Sequence, residues 1–194
     1  MTVDFDLLQA LFWSATYVLI IIFNIKYRSL GIPPIAMATN FAWETTALIR
    51  YGSVIHIAWF SLDLIIVITY FTLCKPVYLR HKFYLPILYA VEMAALCVVF
   101  ESGGMLLSCF FIDCIMAIEY LMYIKNIYTY TADERQPTQV PRLLVALCST
   151  KLIGDLFAWI YYQEFSKTVF VIGILVFSLN SSCLWIVTSG KKKR

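Results

Sequence analysis

The stretch that decides the fold runs from Pro34 to Tyr51 and reads PIAMATNFAWETTALIRY. It is apolar over most of its length and carries two charges, Glu44 near the middle and an arginine at the far end. A helix of about 17–25 predominantly apolar residues is long enough to cross a bilayer. A carboxylate at the centre of such a helix costs about 2.5–3.5 kcal/mol on insertion scales, so it is rarely kept without a function. Asn40 and Glu44 lie one helical turn apart with Trp43 beside them, which predicts a proton-donating acid in a dry, aromatic pocket.

Apolar stretches of this length recur along almost the whole chain. Its 194 residues are 61% hydrophobic and 14% charged, with a mean hydropathy of +0.79, whereas soluble domains average about 45–50% apolar and about 25% charged. Long stretches predict helices rather than barrel strands, because every backbone polar group in lipid must be hydrogen-bonded internally. The sequence therefore predicts an all-α, polytopic membrane protein, with residues 1–194 forming a single domain of seven transmembrane helices. The predicted helices are Leu7–Phe23, Pro34–Tyr51, Ser53–Leu73, Phe83–Phe100, Met105–Ile124, Val140–Tyr162 and Thr168–Val187.

Basic residues fall on one side of this predicted topology. With the first loop in the cytoplasm, the outer segments contain only Arg50 and Lys167, and the basic residues of the other loops and the carboxyl-terminal tail lie inside. This bias predicts an outer amino terminus and a cytoplasmic carboxyl terminus. It also accounts for the net charge of +3, so the lipid bilayer is a predicted partner and nucleic acid is not.

The carboxyl-terminal cluster Lys-Lys-Lys-Arg bears on the choice of membrane. A charge cluster that stops translocation is the preferred interpretation, and a retrieval signal of the endoplasmic reticulum is the alternative in a eukaryote. We expect an integral protein of the endoplasmic reticulum if the chain is eukaryotic, and of the plasma membrane if it is bacterial.

The six cysteines show no metal-binding or redox spacing. All lie within or at the edge of predicted helices, and none forms a C-x-x-C or Cys/His pattern. They are typical of small apolar packing residues. Neither a metal site nor a cofactor is predicted.

The predicted helices contain a set of ionisable side chains at or near the depth of the membrane core. Because charged groups are costly in lipid, such a set predicts one shared interior cavity. Lys151 and Asp155 are four residues apart on one helix, and a structural ion pair is preferred there over a catalytic role. Asp63 is either a reactive acid among aromatic residues or a group that joins helices, and Asn180 either joins helices or lines the site. The ionisable set is Glu44, Asp63, Glu92, Asp113, Glu119, Lys151 and Asp155.

Aromatic residues accompany these acids. The chain has 13 Tyr, 14 Phe and 5 Trp, and five of them are predicted to lie deep and near the acids. A desolvated aromatic face stabilises a cation by about 2 kcal/mol or more, so this pairing suits carbocation chemistry. Ordinary helix packing is the alternative for any single one of them. The five are Trp43, Trp59, Phe60, Phe110 and Phe177.

The segment Gly31–Glu44 ends in NFAWE and resembles the N-x-x-W-E signature of the small membrane-integral terpene cyclases. These enzymes act in fungal meroterpenoid and indole-diterpene pathways and have bacterial relatives. The predicted seven helices and the place of the motif in the second helix extend the resemblance over nearly the whole chain. Trp59 and Asp63 also resemble the tryptophan and polar positions that follow the motif. The resemblance implies cyclisation of an epoxidised prenyl chain, usually of farnesyl length, on an aromatic or polyketide head group. Protonation starts that reaction, without metal or cofactor.

The resemblance also implies roles for individual residues. Glu44 would be the general acid that opens the epoxide. Family members carry a second essential acid, an aspartate followed by glycine in the last helix, and this chain has Asn180 followed by Ser181 at the nearest position. Asn180 would then orient Glu44 by a hydrogen bond, or Asp63 or Asp155 would replace the missing carboxylate. The substrate would lie against Asn40, Trp43, Trp59, Phe60 and Phe177.

A small transporter or channel is the alternative function. The carboxylates near the midplane would then be proton or cation sites, and Lys151 with Asp155 would form a gate. One closed aromatic pocket beside Glu44 favours the cyclase. A continuous polar path between the two membrane faces favours transport.

Overall fold

In the computed structural model, every secondary-structure element of the described residues is a helix. The described residues are 5–28, 31–73, 84–101, 105–130, 142–162 and 167–189. The prediction of an all-α protein with seven helices is confirmed over these ranges. The helices are α1 (Phe5–Tyr27), α2 (Pro34–Tyr51), α3 (Val54–Leu73), α4 (Leu85–Glu101), α5 (Met105–Tyr130), α6 (Arg142–Tyr162) and α7 (Lys167–Ser189).

The largest boundary difference concerns α5, which continues to Tyr130 rather than ending at Ile124. Residues 125–130 contain neither proline nor glycine, so no backbone constraint ends the helix where the apolar stretch ends. Hydropathy alone marks the apolar part of a membrane helix and misses its polar extension.

The helix surfaces fit a protein embedded in lipid. In the described part of the chain, four helices, α1, α3, α6 and α7, are long and apolar enough to cross a membrane by length and composition. Large apolar side chains such as Val54, Val91 and Trp185 are exposed on the outside, which is unusual for a soluble monomer. α2 is the most polar and most enclosed helix, with ten of its 18 residues buried. These observations do not test whether all seven helices span the membrane or on which side the termini lie, so both stay predictions.

Six of the helices form a closed ring, in the order α1, α3, α2, α5, α7, α6 and back to α1. α4 lies outside the ring, where it packs mainly against α2. Side chains that point into the centre of the ring are therefore enclosed by helices on all sides. This centre is where buried polar groups avoid lipid.

The turn between α2 and α3 aligns two polar positions. Gly52 ends α2 in the left-handed conformation, with φ of 59°, and its N–H donates to the carbonyl of Leu48 at 2.9 Å. Glycine adopts this conformation without the steric cost that a Cβ brings. The chain therefore reverses at once, which brings Asn40 and Asp63, at nearly equal distances from Gly52 in the sequence, to the same height.

A hydrogen-bonded layer joins the helices where α1 ends and α2 begins. The N–H of Gly31 donates to Asn24 Oδ1 at 2.8 Å, and Asn24 Nδ2 donates to Thr69 Oγ1 at 3.0 Å. The Tyr120 hydroxyl donates to the carbonyl of Gly31. Asn24 and Tyr120 are buried, so this layer holds α1, α3 and α5 together at one end of the ring.

Candidate active site

Glu44 lies inside the ring with its two carboxyl oxygens in different environments. The side chain is 2% exposed. Oε1 accepts a hydrogen bond from the Tyr17 hydroxyl at 3.0 Å. Oε2 is buried and has no hydrogen-bond partner among the described residues. Because a buried polar atom normally has a partner, this oxygen is a candidate for a group that acts on a ligand.

A chain of hydrogen bonds connects Glu44 to α3 through α1. Asn40 Nδ2 donates to the Tyr17 hydroxyl oxygen at 2.8 Å and to Asp63 Oδ2 at 2.5 Å. All four side chains are buried. The structure therefore brings together three predicted site residues, Asn40, Glu44 and Asp63, and adds Tyr17.

Tyr17 was missed by the sequence analysis. It stands in an apolar stretch of α1, with no acid within one helical turn, so no local pattern distinguishes it from a packing residue. Its role depends on α1 lying close enough to α2 for the Tyr17 hydroxyl to reach Glu44, which no spacing within α1 reveals. Trp13, one turn earlier on α1, was missed for the same reason.

Glu44 lines a cavity of about 40 Å³ inside the ring. Three indoles form much of its wall, those of Trp13, Trp43 and Trp59, and Asp113 and Gln9 add polar groups. Trp59 is held by a hydrogen bond from Nε1 to Ser14 Oγ at 3.0 Å. The remaining lining residues are Tyr17, Asn40, Cys109, Ile112 and Met116. The volume accommodates one or a few water-sized groups, so a larger ligand requires lining side chains to move.

A second buried polar group lies on the α6 and α7 side of the ring. Lys151 Nζ is 3.0 Å from Asp155 Oδ2, so the predicted ion pair is present. Asn180 Nδ2 donates to the same oxygen of Asp155. The Lys151 ammonium also lies 4.5 Å from the centre of the Trp13 ring, a cation–π contact. Trp13 thus contacts this group and also lines the cavity beside Glu44.

The expectation that Asn180 orients Glu44 is wrong in this structure, because the hydrogen bond from its amide goes to Asp155. α7 packs mainly against α5 and α6, and the Asn180 amide accordingly reaches α6 rather than α2. Asp113 lines the same cavity as Glu44 and interacts electrostatically with Lys151 and Asp155.

Two predicted substrate-binding aromatics do not line the cavity beside Glu44. Phe60 stacks on Phe41 with ring centres 5.4 Å apart. It follows Trp59 directly, so it points about 100° away from the side of α3 that carries Trp59. Phe177 lies on α7, half-buried, and is absent from the cavity wall because α7 packs on the far side of the ring. The side chain of Phe110 lies outside the described residues.

The prediction of one cavity shared by all the acids is also wrong. Thr39 Oγ1 donates to Glu92 Oε1 at 2.7 Å, and the N–H of Ala36 donates to Glu119 Oε2 at 3.2 Å. Both carboxyls are half-buried along the first half of α2 and do not line the cavity. Glu119 satisfies one of the first-turn N–H groups that a helix leaves unpaired, which gives it a structural role.

Comparisons with protein-family models, with curated proteins and with solved structures give no match to this chain. The assignment of a function therefore depends on the chemistry of the site.

Proposed function

We propose that this protein is a membrane-bound terpene cyclase in which Glu44 starts the reaction as a general acid. The observation that carries the proposal is the placement of Glu44. Glu44 lines an indole-walled cavity, and one of its oxygens accepts a hydrogen bond from Tyr17. The other oxygen is buried and has no hydrogen-bond partner in the part of the chain that the structure describes. The substrate would be an epoxidised prenyl chain, of farnesyl type, on an aromatic or polyketide head group.

The environment of Glu44 suits a proton donor. An ionised carboxylate without a partner is far more costly in an apolar site than a neutral carboxyl group. A protonated Glu44 would transfer its proton to the epoxide oxygen, and the carbon–oxygen bond would break as a neighbouring alkene supplies the electrons for a new carbon–carbon bond. General acid catalysis of this kind contributes about 10²–10⁴-fold to a rate.

The cavity wall suits the cations that follow. Each indole face within about 6 Å of a cation stabilises it by about 2 kcal/mol or more when water is excluded. Trp13, Trp43 and Trp59 supply three such faces around one acid. Exclusion of water also prevents early quenching of the cation. Epoxide opening by a proton requires no metal ion and no diphosphate leaving group.

The proposal includes movement of the cavity wall, because ligand pockets usually measure about 300–1,000 Å³ and this one measures about 40 Å³. It also includes seven spans with the amino terminus outside. In that orientation Glu44 lies near the midplane of the membrane. The membrane would be the endoplasmic reticulum of a eukaryote or the plasma membrane of a bacterium.

Conversion of an epoxyfarnesyl-aromatic substrate tests the proposal. Membranes that contain wild-type protein, Glu44→Gln or Glu119→Gln would be incubated with the substrate, and products analysed by mass spectrometry and NMR. We expect cyclised product from the wild type and a decrease in turnover of about 100-fold or more in Glu44→Gln. Glu119→Gln is the matched control, because it makes the same substitution outside the cavity, and its turnover should stay near that of the wild type. Turnover by Glu44→Gln equal to wild type would refute the role of Glu44. No turnover of a panel of epoxyprenyl substrates by wild type would refute the cyclase.

The transport alternative receives less support from the extent of the polar network. From Asp63 through Asn40 and Tyr17 to Glu44 the hydrogen bonds join three adjacent helices, α3, α2 and α1, and extend over one turn of α2. One turn covers about 5 Å of helix axis, whereas a path between the two membrane faces covers about 30 Å. Proton flux into proteoliposomes, measured with an internal pH-sensitive dye, distinguishes the two functions, because transport predicts a flux that Glu44→Gln abolishes and cyclisation predicts none.

A further inference from the structure

The hydrogen atoms around Tyr17 can be assigned from the number of donors. The Asn40 amide nitrogen has two hydrogens, and its two acceptors are the Tyr17 oxygen at 2.8 Å and Asp63 Oδ2 at 2.5 Å. The Tyr17 hydroxyl has a single hydrogen. Its oxygen already accepts from Asn40, and among the described residues its acceptor is Glu44 Oε1, at 3.0 Å.

This assignment makes the two oxygens of Glu44 chemically different. Oε1 receives the hydrogen of Tyr17 and acts as the carbonyl-type acceptor of the carboxyl group. A proton carried by Glu44 therefore belongs on Oε2, the oxygen that accepts no hydrogen bond from any described residue. Without Tyr17, neither oxygen would be preferred, because no other described group donates to Glu44.

We propose that Tyr17 is a positioning residue of the acid, and that Asn40 holds Tyr17 so that the transferable proton of Glu44 resides on Oε2. The inference rests on the proposed function and identifies the oxygen from which the proton leaves. When the Oε2–H bond breaks, the proton passes to the epoxide oxygen and the electron pair stays on the carboxylate, whose Oε1 keeps the hydrogen bond from Tyr17. The last cation later releases a proton as it forms an alkene, so the overall reaction is an isomerisation that returns one proton to the acid.

The position of α1 explains how one residue can have this effect. α1 packs against α3 and α6 on either side, and α3 lies between it and α2 in the ring. Tyr17 is 2% exposed and lies against Trp13, with ring centres 5.8 Å apart. Packing thus fixes the phenol ring of Tyr17, and its hydroxyl is the part that reaches α2.

Infrared spectroscopy tests the inference without reference to activity. In purified protein, the carbonyl band of protonated Glu44 is the band that Glu44→Gln removes. We expect Tyr17→Phe to shift this band to higher wavenumber, because its carbonyl oxygen loses a hydrogen bond. Tyr120→Phe is the matched control, since it removes an equally buried hydroxyl that donates to the Gly31 carbonyl, and it should leave the band in place. An unshifted band in Tyr17→Phe, or no band that depends on Glu44, would overturn the proposal.

Kinetics then connects the proton position to turnover. We expect Tyr17→Phe to lower kcat about tenfold, the effect of one ordinary hydrogen bond, with KM changed by about twofold or less, because the acid and not substrate binding is affected. A rise in KM with unchanged kcat would place Tyr17 in substrate binding and overturn the positioning role. If wild-type protein converts no substrate, the cyclase is refuted, while the infrared result still decides whether Tyr17 fixes the proton on Oε2.

Discussion

Replacing Lys151 by methionine would remove one partner of the buried ion pair on α6. Lys151 and Asp155 are 5% and 3% exposed, and their charged atoms are 3.0 Å apart. Loss of one partner of a buried pair costs about 3–5 kcal/mol, because the other charge remains buried without compensation. The Asn180 amide still donates to Asp155, so we expect the lower part of this range. For a chain of this size, 1 kcal/mol corresponds to about 2–4 °C in unfolding temperature, which gives a decrease of about 6–12 °C.

The double variant Lys151→Met/Asp155→Leu separates the attraction between the two charges from the cost of burying the carboxylate of Asp155. Removing both charges abolishes the buried uncompensated carboxylate, so the double variant should recover most of the stability lost in Lys151→Met. The Asn180 amide would then lack its acceptor, at a cost of about 1–3 kcal/mol. We therefore expect the double variant to lie between wild type and Lys151→Met.

Two buried cysteines provide the assay. Cys148 and Cys183 lie on α6 and α7 and are 4% and 2% exposed, so they react with N-ethylmaleimide only when these helices separate. Peptide mass spectrometry of each cysteine over a temperature series gives the unfolding midpoint in detergent. Lys26→Met, at an exposed site on α1, is the matched control and should change the midpoint by about 2 °C or less. A double variant no more stable than Lys151→Met would refute the reasoning, as would equal midpoints of Lys151→Met and Lys26→Met.

Two further substitutions test the cavity wall and the α6–α7 contact. In Gly154→Ala the new Cβ would lie 3.1 Å from Cδ1 and 3.3 Å from Nε1 of Trp13, so the indole should move toward the cavity and stability should fall by about 1–3 kcal/mol. The N-ethylmaleimide assay would measure the stability of Gly154→Ala, and substrate conversion would measure its turnover. If neither changes, Gly154 is not closely packed against Trp13. In Asn180→Asp a second carboxyl replaces the donor to Asp155, and two carboxyls in contact cannot both ionise. We expect a lower unfolding midpoint than in Asn180→Leu; a gain in turnover would instead support the aspartate of the cyclase signature.

Several parts of the site follow from local spacing. Asn40 and Glu44 share one face of α2, and Lys151 pairs with Asp155, because residues four apart on a helix are neighbours whatever surrounds the helix. The contact of Asn40 with Asp63 was also accessible from the sequence, since Gly52 lies midway between them and favours a tight turn. The sequence analysis identified Asp63 as a candidate acid but did not use its nearly equal spacing with Asn40 from Gly52.

The sequence by itself determined that the chain is helical, where the seven helices lie and which polar residues share a helix face. The physical reason is that apolar length and the period of the α-helix are local properties. Tertiary structure alone decided that Tyr17 and Trp13 enter the site, that Asn180 contacts Asp155, and that Phe60 and Phe177 stay outside the cavity. These outcomes depend on the order in which helices close the ring, which reflects the sum of many weak contacts between distant segments and leaves no periodic mark in any one of them.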